Sequence, residues 1–217
     1  MAAGEGWRMG GVDKVFALLG GAPVLSRVID TFQECNLIDQ IVIVLSQEKL
    51  AQGRELVNRH DWSKVTDVCA GGKRRQDSVL AGLAWLSHCQ WVVIHDGARP
   101  LVTVDLIQHG LAAARETGAA VAVMPVSDTI KVAGDDRLVR ETLPRQNLWA
   151  VQTPQVFCLD IISAVYQRVN DDVTDDASLV ERLGYKVKLY PGSYDNIKIT
   201  TPNDLTLAEI LWRRREK

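Results

Sequence analysis

Apolar and polar positions alternate along this chain in blocks, and the blocks switch between the period of a strand and that of a helix. Gln40–Leu45 is a short β-branched run, and Gln47–His60 follows with helical character. Lys64–Ala70 predicts a second strand, and Gln76–Leu86 an apolar helix after Gly71-Gly72. Trp91–Asp96 starts with four large apolar residues, as in a strand buried on both faces, and Gly97 and Pro100 break it. Val104–Thr117 predicts a helix closed by Gly118, and Ala119–Val126 another buried strand. Strands alternating with helices imply βαβ units, so the fold class is α/β with a mainly parallel sheet.

The rhythm breaks at Asp128–Leu143, which is too polar for a core crossover. Gly134-Asp135-Asp136 sits there between two alternating segments, a hairpin signal. The expectation is a projecting β-arm, about residues 128–147, fit for a dimer contact. Trp149–Phe157 follows, then helices at Leu159–Val169 and from Thr174–Ala177 to Gly184. The strand Lys186–Tyr190, the segment Asn196–Thr200 and a last helix complete the pattern. That helix has Thr201 as N-cap, Pro202 in its first turn and Asp204 near the free N–H groups, while Arg213–Arg215 complement its C-terminal dipole. A doubly wound sheet ordinarily has a strand before its first glycine-rich loop, but here the loop opens at residue 1. Either that strand is missing from the chain as given, or the sheet is built without it.

Composition narrows the function classes. The 217 residues are 47% hydrophobic and 24% charged, an ordinary balance for one globular domain spanning 1–217. A net charge of -2 argues against nucleic acid or an acidic membrane as partner, so basic clusters should serve a small anion. Cys35, Cys69, Cys89 and Cys158 stand singly, as reduced thiols in a cytoplasmic protein do, and no apolar run reaches the roughly 20 residues of a membrane span. His60, His88 and His109 read as surface residues.

Three stretches carry candidate chemistry. In Ala2-Ala3-Gly4-Glu5-Gly6-Trp7-Arg8, Gly4 and Gly6 let backbone N–H groups approach an oxyanion, Arg8 offers a bidentate fork, and Lys14 follows as a mobile point charge. The same pattern also suits an ordinary turn with bases nearby, and neither a dinucleotide fingerprint nor a P-loop fits it. Gly71-Gly72-Lys73-Arg74-Arg75-Gln76-Asp77-Ser78 joins a strand to a helix N-terminus, where anions are favoured, although the three bases could equally be solvated. Asp96 ends a strand, where ligands bind in open α/β sheets; it either faces that crevice or caps the next turn and pairs with Arg99.

Five segments then occur in order. They are Ala2-Ala3-Gly4-x-Gly6-x-Arg8-Met9-Gly10, Asp77-Ser78-Val79-x-Ala81-Gly82, His95-Asp96-Gly97-Ala98-Arg99-Pro100, Gln152-Thr153-Pro154-Gln155 and Asp195-Asn196-Ile197-Lys198. So arranged, the chain resembles the 2-C-methyl-D-erythritol 4-phosphate cytidylyltransferase family essentially end to end. The resemblance implies a homodimeric nucleotidyltransferase with a Rossmann-like sheet and an exchanged arm, using CTP, a sugar-alcohol phosphate and Mg²⁺. It implies cytidine against Ala2, Ala3, Gly72 and Ser78, and triphosphate on Gly4, Gly6, Arg8 and Lys14, with Mg²⁺ near Asp96. The acceptor would meet Asp96, Gly97, Arg99, Thr174 and Lys198, with Thr129 and Arg145 from a partner's arm; Gly97 would leave room for it. Arg8, Lys14 and Lys198 would stabilise charge at the α-phosphorus. Asp13 stands where the family usually has proline, which would loosen the loop and partly neutralise Lys14, and Lys73 where an acidic residue can occur. A ribitol 5-phosphate cytidylyltransferase and a nucleotide-binding relative without turnover are the competing readings.

Overall fold

A computed structural model describes residues 1–4, 13–86, 88–168, 173 and 175–215. The first elements are a small hairpin of β1 (Leu18–Leu19) and β2 (Ala22–Pro23), then α1 (Val24–Glu34), β3 (Ile41–Leu45), α2 (Leu50–Asn58), β4 (Val65–Ala70), α3 (Arg75–Leu83) and β5 (Trp91–Ile94). They continue as α4 (Val104–Thr117), β6 (Ala119–Pro125), β7 (Lys131–Ala133), β8 (Val139–Thr142), β9 (Trp149–Cys158), α5 (Leu159–Arg168), α6 (Asp176–Arg182), β10 (Lys188–Pro191) and α7 (Pro202–Arg215). The β1–β2 hairpin and α1 were not expected. The apolar stripe of α1, Val24, Leu25, Val28, Ile29 and Phe32, has helical spacing and was there to be read.

The central sheet has the order β10-β6-β9-β5. It is mixed: three of its four strands run the same way, in keeping with the mainly parallel expectation, and one opposes them. β10 runs parallel to β6, but β9 runs antiparallel to both β6 and β5. The chain reaches β9 by doubling back through the β7–β8 segment rather than crossing over through a helix, and a return of that kind reverses strand direction. β6 is buried on both faces, as its unbroken apolar run required. Ala120 and Ala122 face α1 and α4, while Ala119, Val121 and Val123 face α3, α5 and α6. The result is an α/β/α layering.

Helix ends follow the local chemistry. The Thr103 hydroxyl accepts the Leu106 N–H at 3.2 Å, and Gly118 closes α4 with φ 84°, a value that favours glycine. β7 and β8 pair antiparallel as a separate exposed hairpin around Gly134–Asp136, within the span expected of the arm. The segment Asn196–Thr200 forms no strand.

β3 and β4 pair parallel as a second sheet. Among the described residues no strand lies between β3 and β5. Only the first two residues bridge that interval: the Ala2 N–H donates to Val44 O at 2.7 Å, and the Gly97 N–H donates to Met1 O at 2.7 Å.

α4 lies so close to the sheet that a Cβ on Gly110 would fall 2.6 Å from Tyr190 Oη and 3.0 Å from Val156 Cγ2. The Tyr190 hydroxyl cannot swing aside freely, because it donates to Pro154 O at 2.8 Å. Gly110→Ala should therefore destabilise the fold by about 1–3 kcal/mol. In the Gly110→Ala/Tyr190→Phe double variant the losses should be less than additive, since the second change removes the atom that the first one strikes. Urea unfolding of the four proteins tests this, and strict additivity would show that Gly110 is not confined by Tyr190.

Candidate active site

Asp96 lies two residues beyond the end of β5, at the carboxyl edge where the sheet opens. Its backbone N–H donates to Thr153 Oγ1 at 3.0 Å, which fixes its entry from β9. Its Oδ2 lies 2.9 Å from Lys198 Nζ and 3.5 Å from Arg99 Nε. Burial by itself would raise the Asp96 carboxyl, but Lys198, then Arg75 and Arg99, outweigh it and hold the group well below the usual carboxylate range. Asp96 is an anion at any physiological pH, and the cations around it exceed it in charge. Of the two sequence readings of Asp96, the pairing with Arg99 is present.

A frame of buried polar groups aims this cluster. Asn196 Nδ2 donates to Thr153 O at 2.8 Å and to Gln152 Oε1 at 3.2 Å, tying the loop that carries Lys198 to β9. Arg99 donates through Nη1 to Asn196 O at 2.7 Å. His95 packs against Phe32 and is buried; its Nε2 lies 3.1 Å from Arg99 O and its Nδ1 3.1 Å from Thr153 Oγ1. A carbonyl can only accept, so Nε2 carries the hydrogen and the Thr153 hydroxyl donates to Nδ1. Burial lowers the His95 pKa to about 3, and the ring stays neutral.

Two turns flank Asp96. Ala3 packs against Gly71, where an added Cβ would fall 2.7 Å from the Ala3 methyl. A Cβ on Gly4 would lie 3.8 Å from Lys14 Nζ, so the ammonium stands beside the start of the glycine-rich loop as expected. Asp13 is spent elsewhere: it pairs with Lys49 at 2.8 Å and accepts the Val15 N–H. In the second turn, Ser78 Oγ accepts the Gly72 N–H at 3.1 Å and lies 3.3 Å from Gly72 O, so the hydroxyl shapes the turn that presents Gly72. The missing Cβ of Gly97 is taken up by Ala2 Cβ and Met1 O, at 2.9 and 3.3 Å, which gives this glycine a packing role beside the first loop.

The basic run at 73–75 divides. Lys73 is exposed, Arg74 is held by Asp77 at 2.7 Å, and Arg75 turns inward to the fully buried Asp176 at 2.6 Å. Tyr166 donates to the other Asp176 oxygen. Asp176 N donates to Gln155 Oε1, and Gln155 Nε2 donates to Asp175, the N-cap of α6. Sequence reasoning missed Arg75, Asp176 and Tyr166 as a group, because their association joins α3 to the distant pair α5 and α6.

Of the expected site residues, Ala2, Ala3, Gly4, Lys14, Gly72, Ser78, Asp96, Gly97, Arg99 and Lys198 line these turns and this cluster. Thr129 and Arg145 are exposed on the arm segment, and no contact of the Asp96 cluster described here involves them. Gly6, Arg8 and Thr174 lie outside the described residues. Among the described residues, no group of three or more His, Cys, Asp or Glu side chains could hold a metal.

A family model described as 2-C-methyl-D-erythritol 4-phosphate cytidylyltransferase matches residues 1–214. A curated relative of that name from Dehalococcoides mccartyi strain 195 is 51% identical over 99% of this chain and 94% of its own length. One from Halalkalibacterium halodurans is 46% identical over 100% of this chain and 96% of its own. The crystal structure of 4-diphosphocytidyl-2C-methyl-D-erythritol synthase from Anaerococcus prevotii superposes with a TM-score of 0.86 at 31% identity, covering 98% of this chain and 93% of that one. That of 2-C-methyl-D-erythritol 4-phosphate cytidylyltransferase from Thermus thermophilus superposes at 0.77 and 32% identity, covering 92% and 94%.

The buried histidine makes the fold acid-sensitive. An unfolded histidine titrates near pH 6.5, roughly, whereas His95 in the fold takes a proton only near pH 3. Below pH 6.5 the unfolded chain binds a proton that the folded one declines, so stability falls as pH drops from 6.5 towards 3. The depressed Asp96 adds to the loss further down: its contribution is full above its unfolded pKa and fades as pH falls through the folded one. In metal-free buffer the His95 share between pH 6.5 and 4.5 should be about 2 kcal/mol. Urea titrations at the two pH values measure it, and His95→Gln should flatten the difference. An equally steep loss in that variant would acquit His95.

Proposed function

The chain belongs to the 2-C-methyl-D-erythritol 4-phosphate cytidylyltransferase family, and from that premise we propose that it transfers the cytidylyl group of CTP to 2-C-methyl-D-erythritol 4-phosphate. The observation that carries this reading is the buried Asp96 anion bound at one oxygen by Lys198 and approached by Arg99, beside the first loop. A phosphate oxygen of the acceptor forms a bond to the α-phosphorus of CTP. The bond from that phosphorus to the β-phosphate breaks, and pyrophosphate leaves with the electron pair. The acceptor phosphate is already ionised, so no general base is needed and the neutral, buried His95 has no proton to move in the reaction.

What the reaction does require is compensation of charge, since two anions must meet and a third departs. Fixed cations and positioning supply most of the rate in phosphoryl transfer. In this reading Lys14 and Arg8 meet the triphosphate over Gly4 and Gly6, and Ala2, Ala3 and Gly72 receive cytidine through a turn that Ser78 holds. Lys198 stands at the α-phosphorus. Asp96, Arg99, Gly97 and Thr174 surround the acceptor. Asp96 fits a role in holding Mg²⁺, because its carboxylate is permanently ionised and Mg²⁺ takes one or two protein carboxylates while keeping waters and phosphate oxygens. When bound there, the ion would supply countercharge to the triphosphate.

The arm supports a homodimer. Val132, Leu138 and Val139 along it, and Trp149 and Val151 at the adjoining start of β9, are exposed by between 40% and 67%. Apolar side chains in such number on a projecting hairpin favour burial against a second copy. Thr129 and Arg145 of the partner subunit would then complete the acceptor site. No helix among the described residues is long and apolar enough to cross a membrane, and the reading requires only small soluble substrates.

Pyrophosphate release from CTP with 2-C-methyl-D-erythritol 4-phosphate, compared with ribitol 5-phosphate, tests the acceptor. Turnover with the first and not the second is expected; release with neither would leave a nucleotide-binding protein only. Lys14→Ala and Lys198→Ala should each lower kcat by roughly 10²–10³, the usual loss of one transition-state donor. Values within a few-fold of the parent would remove that lysine from the chemistry. Mixing Arg145→Ala chains with Lys198→Ala chains should restore part of the activity in verified heterodimers, because one hybrid site then keeps both groups.

A further inference from the structure

We propose that the group Arg75, Asp176 and Tyr166 couples the two substrates, so that CTP settled against the Gly72 turn prepares the segment that receives the acceptor. In the proposed cytidylyl transfer, on which this inference rests, Gly72 and Ser78 serve cytidine while Thr174 meets the acceptor. Arg75, Asp176 and Tyr166 act through those residues, as positioning residues.

Arg75 is the first residue of α3 and Asp176 the first of α6. The ion pair between them, at 2.6 Å, joins the start of one helix to the start of the other. A cation in the first turn opposes the helix dipole, so nothing local to α3 favours Arg75 there. Gly72, three residues earlier, is exposed and held through its N–H by Ser78 Oγ at 3.1 Å. At the other end, Thr174 comes directly before Asp175, the N-cap of α6. Asp176 is itself held at three points. Arg75 takes one oxygen of its fully buried carboxylate, Tyr166 donates to the other, and its N–H donates to Gln155 Oε1 at 3.2 Å. Burial, and then Asp176, hold the Tyr166 phenol well above its usual range, so it remains a donor.

Stability alone does not call for ions in this place. Well-packed apolar residues of similar volume are commonly as stable as a buried ion pair. Val79, Val165 and Val180 belong to one apolar cluster that already joins the same three helices. Apolar contacts tolerate sliding, whereas a buried ion pair is satisfied at one separation, so this pair fixes the register of α3 against α6. A ligand that settles the 71–78 turn then also settles the start of α6, and the second ligand has less left to order. By linkage, the acceptor must favour CTP to the same degree. After Lys198, Arg75 is also the cation that most depresses Asp96, which sets it between both turns and the centre.

The test uses CTP in Mg²⁺ buffer without acceptor, then both substrates. In the parent, CTP alone should slow hydrogen exchange at residues 176–180 about fivefold or more. In Asp176→Asn that slowing should be lost, although CTP binds with a Kd within about threefold of the parent's. With both substrates, the acceptor KM should rise about tenfold in Asp176→Asn and about threefold in Tyr166→Phe, with kcat changed less than about threefold. Asp176→Asn leaves Arg75 without its partner, so Arg75→Met/Asp176→Leu, which leaves no ion unpaired, guards against misfolding. That double variant should melt near the parent and show the same loss of coupling. A role in stability alone would lower the melting temperature but leave the acceptor KM and the response of residues 176–180 to CTP unchanged. That result in Tyr166→Phe and in the double variant would overturn the proposal. A parent that binds CTP with no change at residues 176–180 would overturn the coupling and leave the cytidylyl transfer standing, whereas a parent that binds no CTP would overturn both.

Discussion

The candidate site is organised by one electrostatic constraint: a buried carboxylate, Asp96, that stays ionised only because cations from separate parts of the chain surround it. Lys198 comes from the loop before α7, Arg99 from the turn after β5, and Arg75 from the start of α3. An ion this buried costs too much unless its partners are held in place. The demand therefore passes outward to whatever holds those partners. The same surplus of positive charge is what a reaction between two phosphates requires, so the stability of the centre and its proposed chemistry have a common origin.

The holding is done by β9. Thr153 receives the Asp96 N–H, donates to His95 and offers its carbonyl to Asn196, so one residue sets both sides of the ion cluster. Gln155 performs the matching service for α6, engaging Asp175 and Asp176, and Asp176 in turn fixes Arg75. Gln152-Thr153-Pro154-Gln155 is thus a frame for both clusters. Its neutral histidine, wedged between Arg99 O and Thr153, keeps polar groups satisfied in a place where an unpaired one would be expensive. β9 can act in this way because it runs antiparallel between β5 and β6, which sets the middle of one strand against the carboxyl-end region of another.

Much of this was legible in the sequence. The elements β3 to β6, the closure of α4 at Gly118, the hairpin at Gly134 and the strand that ends before Asp96 all follow from period and punctuation. Lys198 beside Asp96 was reached through resemblance, and the distance of 2.9 Å bears out their association. The antiparallel course of β9 was not legible, because strand direction depends on how the chain returns and not on the strand's own residues. The Arg75–Asp176–Tyr166 group was hidden for a similar reason: each residue is unremarkable locally, and the buried pairing arises only when α3, α5 and α6 pack together. Ser78 and Gly97 also make contacts within the protein, to the Gly72 turn and to Met1 and Ala2, that the sequence did not announce.

The first loop draws these features together. It is pinned to the second sheet through Ala2 and to the Asp96 turn through Met1, and it rests on the Gly71 turn through Ala3. In the reading proposed here the loop must position a triphosphate relative to Lys198 to within a fraction of an ångström, and such anchors would supply that precision. Because, among the described residues, Met1 and Ala2 make the backbone bridge between the two sheets at this point, the relative position of the Gly71 turn and the Asp96 cluster rests on a very short length of backbone. The N-terminal edge of the sheet is thereby part of the site's mechanics.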